Sequence, residues 1–280
     1  MSAAVDPDTI CLVSGGDLVR SRSYVNHRIW AAEAGIDYRL EIGIAPGRRT
    51  PYDPKFTAIR NVLPRYSWII WVDDDVYFTD WRPGRLLHLV DDAERSGLWG
   101  VLAQGPTEPG GHWSAINTGV MILRNDPRTF AMLDRAQALE VAEAKERWEP
   151  TRDGLFTHGD QDTIWTTVRE DPDLLSGLRI VGHADLNSRP HLVGASPAEV
   201  LTVHFCGPGD KRARVARFAA RFGMGQELVP ATLLDAYAVQ HRELLPAAEV
   251  AAREAADRAG ALTRRVQAKV AWVRSTRRWR

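Results

Sequence analysis

The feature that most constrains the fold is a short apolar run that ends in three aspartates. Trp68–Val72 is apolar throughout and far too short to span a bilayer, so it predicts a buried strand, and Asp73, Asp74 and Asp75 follow it directly. Side chains alternate along extended backbone, which would put Asp73 and Asp75 on one side and Asp74 on the other. Carboxylates at the end of a buried strand are costly unless a cation neutralises them. A hard divalent ion that also binds phosphate is their natural partner.

Two aspartates separated by one residue are more often an acidic surface turn than a metal site, and this motif alone leaves that alternative open. The nearest bases along the chain, Arg82 and Arg85, lie in a segment that should lead away from the strand end. We therefore expect no base to pair with both carboxylates, and we predict that Asp73 and Asp75 bind one divalent ion.

Strand-like and helix-like stretches alternate along the chain. The predicted strands cover residues 9–14, 38–45, 68–72, 99–103, 116–123, 178–181 and 201–205, and the predicted helices cover 23–34, 53–63, 86–96, 126–148 and 160–169. This alternation predicts an α/β fold with a mixed, mainly parallel, Rossmann-like sheet flanked by helices on both faces. Ligands of such sheets bind beyond the carboxyl ends of the strands, where the polar motifs of this chain fall.

Charge divides the chain into an acidic body and a basic tail. The 36 basic and 36 acidic side chains cancel overall, which speaks against a nucleic-acid partner. Residues 246–280 hold nine bases and three acids, so the rest of the chain carries a net charge of minus six. We predict a catalytic domain over residues 1–230 and a helical, basic extension over residues 231–280.

Aromatic residues accompany the bases of the tail. Trp272 and Trp279 lie among seven bases, a mixture that suits peripheral contact with an anionic membrane surface, although a solvated helix is the alternative. The seven bases are Arg264, Arg265, Lys269, Arg274, Arg277, Arg278 and Arg280.

The N-terminus and the cysteines predict a cytoplasmic protein, with the tail at the inner membrane surface as a further possibility. The first nine residues carry two aspartates and no lysine or arginine, which is unlike a secretion signal. Cys11 and Cys206 lie in apolar runs and are expected to be buried free thiols.

A second candidate motif surrounds His204, which ends an apolar run and precedes a glycine-rich loop. A lone histidine on an apolar strand is more often a core residue than a ligand. Here Gly207 allows close approach to the backbone, and Lys211 brings a mobile positive charge. A histidine that shares the ion and a lysine that meets the phosphates would complete a site for a nucleotide diphosphate.

Two further motifs carry amide and carboxylate side chains. Asn117 begins a strand-like run, where it could contact a sugar hydroxyl or belong to an ordinary turn. Asp160, Gln161 and Asp162 open a helix. We predict that Asp160 is its N-cap and that Gln161 and Asp162 face the reacting centre.

Four motifs in this order resemble those of retaining glycosyltransferases with the GT-A fold. They are Trp-Val-Asp73-Asp-Asp75, Asn117-Thr-Gly-Val-Met, Gly-Asp160-Gln-Asp162 and His204-Phe-Cys-Gly-Pro followed by Lys211. The resemblance is strongest to glycosyltransferase family 34, the galactosyl/xylosyltransferase group, with features of family 8, and it spans about residues 10–211. It implies a nucleotide-sugar donor, usually linked to UDP, a Mn²⁺ or Mg²⁺ ion, and retention of the anomeric configuration.

The resemblance also implies roles for individual residues. Asp73, Asp75 and His204 would be the metal ligands. The donor-binding residues would be Ser14, Gly15, Lys55, Asp74, Asn117, Gly207 and Lys211, and the catalytic residues Gln161 and Asp162. Within this set, Lys211 would contact the diphosphate, and Ser14 and Gly15 the base and ribose. Lys55 is equally well explained as a solvated helix residue, and Gly209-Asp210 lengthens the loop before Lys211 relative to many family 8 members.

Three functions are compatible with these motifs. The first is a metal-dependent transfer of a hexose or pentose to a hydroxyl group of a glycan, glycolipid or small-molecule acceptor. The second is a nucleotidyltransferase or nucleotide-diphosphate hydrolase that uses the same carboxylates, and the third is a non-catalytic nucleotide-binding protein. We favour the first, because a binding module has no need of the Gly-Asp-Gln-Asp segment beside a complete metal set.

Overall fold

The computed structural model of the chain describes residues 4–19, 21–43, 52–207, 209–240 and 245–277. The strands are β1 (Ile10–Gly16), β2 (Asp37–Ile42), β3 (Trp68–Val72), β4 (Val76–Phe78), β5 (Gly100–Ala103), β6 (Asn117–Arg124), β7 (Leu178–Val181) and β8 (Thr202–His204). The helices are α1 (Ser23–Glu33), α2 (Asp53–Val62), α3 (Gly84–Arg95), α4 (Pro127–Ala138), α5 (Val141–Glu146), α6 (Pro150–Asp153), α7 (Asp160–Arg169), α8 (Pro172–Ser176), α9 (His183–Leu186), α10 (Lys211–Arg221), α11 (Ala231–Ala236) and α12 (Ala247–Arg277).

A six-stranded sheet in the order β2-β1-β3-β6-β5-β7 forms the centre of the described fold. The pairs β1–β2, β1–β3 and β5–β7 are parallel, and β6 runs antiparallel to both of its neighbours. The prediction of a mixed, mainly parallel sheet flanked by helices is confirmed.

Side chains of the strands alternate between two apolar cores, one on each face of the sheet. On β3, Ile69 and Trp71 belong to the core under α2, α4 and α7, whereas Trp68 and Ile70 belong to the core under α1 and α3. Both tryptophans are almost fully buried. Burial of each large apolar side chain contributes about 1.5–3 kcal/mol, so this strand anchors the residues that follow it.

The observed elements differ from the predicted ones in several places, and the helices α6, α8, α9 and α10 were not predicted. The first strand continues through Gly16, and the predicted helix 126–148 is two helices, because the chain is extended at Leu139 after α4. The three-residue strand β4 was not predicted. It pairs with β8 in a separate two-stranded sheet. The second strand ends at Ile42 and the described Gly43 lies outside it, so the predicted strand 38–45 is too long, although residue 45 itself lies outside the described residues.

The chain divides into two compact units. The first comprises Met1–His204 with Glu227–Val229, and the second comprises Phe205–Gln226 with Pro230–Arg280. In the second unit, α10 packs on α12, and Asp210 pairs with Arg253 at 2.7 Å. The predicted boundary at residue 230, between a catalytic domain and a basic extension, stays a prediction.

Residues 227–229 are built into the first unit. Arg22 Nε donates to Glu227 Oε1 at 2.6 Å, and Asn26 Nδ2 donates to the carbonyl of Leu228 at 3.1 Å. Glu227, Leu228 and Val229 are buried. Leu228 has a φ of 52°, a conformation that branched and bulky residues rarely adopt, so these contacts hold it in place.

Helix α12 agrees with the predicted helical extension, but the basic side chains singled out there, from Arg264 to Arg280, lie outside the described side chains. No helix in the described part of the chain combines the length and the apolar character needed to cross a membrane. Cys11 is a buried free thiol, as expected, and burial raises its pKa to about 12, whereas Cys206 is only half-buried.

Candidate metal and donor site

Asp73, Asp74 and Asp75 form a tight turn between β3 and β4. The N–H of Val76 donates to the carbonyl of Asp73 at 3.1 Å and closes the turn. The N–H of Asp73 donates to the carbonyl of Gly119 at 2.8 Å, which ties the turn to β6. The argument from strand alternation was therefore wrong, because β3 ends at Val72 and the turn itself sets the directions of the carboxylates.

The turn and β8 bring together three side chains that can bind a metal ion. One oxygen from each of Asp73 and Asp75 and one ring nitrogen of His204 lie within 4.8 Å of one another. His204 Nε2 is 3.1 Å from Asp75 Oδ1, and His204 is paired with Val76 in the two-stranded sheet. Two carboxylates and an imidazole suit Mn²⁺ better than Ca²⁺.

Gly119 makes room for the imidazole ring. A Cβ at this position would lie 2.3 Å from Cε1 and 2.4 Å from Nδ1 of His204, so the ring packs directly against the backbone of β6. A glycine inside an otherwise apolar strand is the sequence signal for such a close approach. This role of Gly119 was not foreseen.

Replacement of Gly119 by alanine should displace His204. We expect at least about tenfold weaker binding of Mn²⁺, and a loss of about 1–3 kcal/mol in the free energy of unfolding from overpacking. Titration followed by the electron paramagnetic resonance signal of Mn²⁺ measures the affinity for the ion, and urea unfolding measures the free energy of unfolding. Gly84→Ala is the matched control, because a Cβ there meets nothing within 4 Å. Unchanged Mn²⁺ affinity in Gly119→Ala would remove His204 from the ligand set.

Lys55 places a positive charge inside the acidic cluster. Its Nζ lies 2.9 Å from Asp73 Oδ1, 2.6 Å from Asp160 Oδ2 and 3.1 Å from the carbonyl of Thr118. Burial alone would lower the pKa of Lys55, but the charges of Asp160 and Asp73 more than offset it and raise the pKa. The two carboxylates therefore favour the charged ammonium form of Lys55.

The expectation that no base reaches both carboxylates needs a correction at Asp73. Arg82 binds Asp80, with Nε 2.8 Å from Oδ1, and Arg85 lies 3.1 Å from Asp185, so both turn elsewhere as predicted. Lys55 was named only as a donor contact or a solvated helix residue. Its burial excludes the solvated alternative, and its pairing with Asp73 was missed because Lys55 precedes the motif on α2 and meets Asp73 only in the folded chain.

Acidic charge remains in excess around Asp73. Burial raises the pKa of Asp73, and the charges of Asp160 and Asp75 add to the rise, although Lys55 and His204 oppose it. A divalent ion would relieve this repulsion, which supports the fit of the cluster to such an ion.

The start of α7 differs from the prediction. Gly159, not Asp160, is the N-cap, and Asp160 directs its carboxylate to Lys55 and to the hydroxyl of Thr118, at 2.9 Å. Asp160 is thus the residue of this segment that joins the acidic cluster. Gln161 is buried directly beside it.

Asp162 secures the loop before α7. Its carboxylate accepts hydrogen bonds from the N–H groups of Thr157 and Gly159 and from the hydroxyl of Thr157, at 3.0–3.1 Å. The side chain is fully buried, and burial raises its pKa although these hydrogen bonds oppose the rise. The predicted contact of Asp162 with a donor sugar stays a prediction.

The amide of Asn117 lies beside Gly119. Its Oδ1 accepts from the N–H of Gly119 at 3.0 Å and from the amide of Asn187. Both asparagines are buried. The oxygen is thus occupied by protein donors, and the predicted sugar contact would use the amide nitrogen.

The other predicted donor contacts are spread over the chain. Ser14 bonds Tyr38 through its hydroxyl at 2.7 Å, and Gly15 leaves no room for a Cβ, which would lie 2.2 Å from the carbonyl oxygen of Glu41. Both belong to β1, so a role in strand pairing explains them. Gly207 and Lys211 belong to the second unit, and their predicted roles stay predictions.

Helix α1 binds the backbone of the turn and of β4 through four side chains. In each hydrogen bond a side chain of α1 donates to a backbone carbonyl group. The pairs, with the donor first, are Ser23 to Asp74 (2.7 Å), His27 to Val76 (2.8 Å), Asn26 to Phe78 (3.0 Å) and Trp30 to Asp80 (3.0 Å). Each of the four donors lies three or four residues from two of the others, and they therefore share one face of the helix. The accepting carbonyl groups belong to every second residue from Asp74 to Asp80 and therefore point to the same side of the chain. We call these contacts the α1 ladder. It holds the backbone of the turn beside the candidate ligands.

His27 gives the α1 ladder a dependence on pH. Burial lowers the pKa of His27 from 6.5 to about 4, although its bond to Val76 opposes the shift. The unfolded chain takes up this proton below pH 6.5 and the folded chain does not. We therefore expect His27 to remove about 3 kcal/mol from the free energy of unfolding between pH 6.5 and 4.

Urea unfolding of wild type and His27→Gln across that range tests this expectation. The variant should lack this part of the pH dependence, whereas His88→Gln, a change at a largely exposed histidine, should retain it. Parallel curves for wild type and His27→Gln would contradict the assignment.

The chain is similar in sequence to a plant glycosyltransferase. No family model matches the chain. Glycosyltransferase 6 of Arabidopsis thaliana is 23% identical over 159 residues, which cover 53% of this chain and 36% of the plant protein. The match thus spans about a third of that relative's length.

Solved structures also match the chain, among them two glycosyltransferases. A glycosyltransferase involved in the glycosylation of the major capsid of PBCV-1 matches with a TM-score of 0.56 and 17% identity, over 75% of this chain and 98% of that one. Drosophila beta1,4-galactosyltransferase 7, in complex with manganese, UDP-Gal and xylobiose, matches with 14% identity over 71% of each chain, but its TM-score of 0.42 is too low to support an argument. The chain has a GT-A fold and is similar to glycosyltransferases in sequence and in structure.

Proposed function

We propose that this chain is a metal-dependent glycosyltransferase. It would move a sugar from a nucleotide-sugar, in the simplest case a UDP-sugar, to a hydroxyl group of a glycan, glycolipid or small molecule, with retention of configuration as in families 34 and 8. The observation that carries the proposal is the convergence of Asp73, Asp75 and His204 within 4.8 Å in a GT-A fold.

The residues of the cluster fit a divalent ion in number, type and charge. Asp73, Asp75 and Asp160 contribute three negative charges, and Lys55 contributes one positive charge, so the cluster is two charges negative when His204 is neutral. Mn²⁺ or Mg²⁺ would be held by Asp73, Asp75 and His204. When bound, such an ion supplies a positive charge that stabilises the departing diphosphate.

The other residues would position the donor. Asp160 and Gln161 begin α7 beside Lys55, so we assign this helix start to the sugar, with Asp162 securing it through the loop at Thr157. Asn117 would contact the sugar through its amide nitrogen. Lys211, Gly207, Asp74, Ser14 and Gly15 would contact the diphosphate and the nucleoside.

A donor screen tests the proposal. UDP- and GDP-sugars are added with Mn²⁺, and the thermal shift and the release of nucleotide are measured with and without acceptors. We expect one nucleotide-sugar to raise the unfolding temperature and to be cleaved with release of its nucleotide. Chelation of the ion should abolish the thermal shift and the release. Release of a nucleoside monophosphate would identify the alternative pyrophosphate chemistry, and the absence of any nucleotide-dependent shift would contradict the proposal.

A further inference from the structure

The position of Lys55 has a consequence for the binding of the ion. Its ammonium lies 2.9 Å from Asp73 Oδ1 and 2.6 Å from Asp160 Oδ2, in the interior of the first unit. Trp71 Nε1 also donates to Asp73 Oδ1, at 2.7 Å. Lys55 is thus an ion-pair partner of one candidate ligand and of the carboxylate next to it.

A fixed positive charge and a divalent ion at the same carboxylates repel each other. Each unit charge a few ångströms from a partly buried ion changes its binding equilibrium strongly, because the protein interior screens charges less than water does. The ion would therefore meet a cluster two charges negative, whereas the carboxylates alone would offer three.

We propose that Lys55 is an internal counter-ion that keeps the affinity for a divalent ion low until a nucleotide diphosphate binds. This inference rests on the proposed function. The diphosphate brings negative charge that offsets Lys55, so ion and donor bind cooperatively, and each increases the affinity for the other by the same factor. Without ion, Lys55 compensates the charges of the buried Asp160 and the partly buried Asp73.

The affinity for Mn²⁺ should rise with the net negative charge of the cluster. Lys55→Met makes the cluster three charges negative and should bind Mn²⁺ alone at least about tenfold more tightly than wild type. Asp160→Asn leaves one negative charge and should bind about tenfold more weakly. Lys55→Arg keeps the charge and should stay within about threefold of wild type. Lys145→Met, at an exposed lysine of α5, is the matched control and should change nothing.

Mn²⁺ resonance titrations at about pH 7.5, without and with UDP, measure these affinities on the full chain. In Lys55→Met the factor by which UDP tightens Mn²⁺ binding should shrink, and the metal-free protein should unfold at a lower temperature. A residue that only contacted the donor would leave the affinity for Mn²⁺ alone unchanged, and that outcome overturns the proposal.

The two proposals fail in different ways. If Lys55→Met does not fold, Asp160→Asn still decides, because Mn²⁺ binding as tight as in wild type would contradict the dependence on charge. If wild type binds no Mn²⁺ even with UDP, or if Asp75→Ala binds it equally well, the proposed function fails as well. If only the order of the Lys55 and Asp160 variants is wrong, the metal site stands and the counter-ion role does not.

Discussion

Replacement of Asp75 by alanine should abolish metal-dependent binding of UDP and lower kcat/KM by about 10²–10³-fold, the range seen when one stabilising group is removed from an active site. Asp75 is buried, and its Oδ1 lies 3.1 Å from His204 Nε2, so its replacement removes one of the three candidate ligands and the partner of another. Calorimetric titration of UDP with and without Mn²⁺, and donor turnover, measure the two effects.

Asp74→Ala is the internal control for this experiment. Its backbone carbonyl accepts from Ser23, and its side chain is absent from the three candidate ligands, so the loss should be milder. His204→Ala should weaken both binding and turnover without abolishing them. Full activity in chelated protein would contradict the metal site altogether.

Replacement of Asp162 by asparagine should lower turnover by at least about tenfold and leave the affinity for UDP near that of wild type. The carboxylate now accepts hydrogen bonds from the N–H and the hydroxyl of Thr157 and from the N–H of Gly159. In the variant, the amide nitrogen would point an N–H group at one of these donors, and that hydrogen bond would be lost. Hydrogen bonds to a charged group contribute about 1.5–3 kcal/mol, so the loop and the helix start at Asp160 should lose their fixed position. Single-turnover kinetics with the identified donor measure the effect.

Asp171→Asn separates a general loss of stability from an effect at the site. Asp171 caps α8, where it accepts from the N–H groups of Asp173 and Leu174 at 2.9 and 3.2 Å. Its replacement should lower the unfolding temperature and spare turnover. If Asp162→Asn behaves in the same way, Asp162 is a capping residue and has no part in catalysis.

Much of the fold could be predicted because local patterns and packing agree. The apolar run of β3 and the boundaries of α7 match the structure to the residue, and the alternation of strand-like with helix-like stretches correctly placed helices on both faces of the sheet. Strand β4 was missed because three residues after a turn are too few to show a period. The break after α4 was missed because neither proline nor glycine marks it.

The candidate site was predictable in its members and less so in its geometry. Asp73, Asp75 and His204 were named from their positions at strand ends, but a turn, not an extended strand, aligns the two carboxylates. The contacts of Lys55 with Asp160 join residues 105 positions apart, and no local pattern records such a pairing. The α1 ladder escaped for the same reason.

The order of the site residues along the chain has a consequence for how the site assembles during synthesis. Among the residues of the charged cluster, Lys55 is synthesised first and Asp73 soon after it, whereas His204 follows Asp75 by more than a hundred residues, and Glu227 comes later still. At a rate of about 5–20 residues per second, the aspartates leave the ribosome on the order of ten seconds before the histidine does. We therefore expect Lys55 to neutralise Asp73 in the nascent chain. A divalent ion would bind at the complete site only after this unit has been translated.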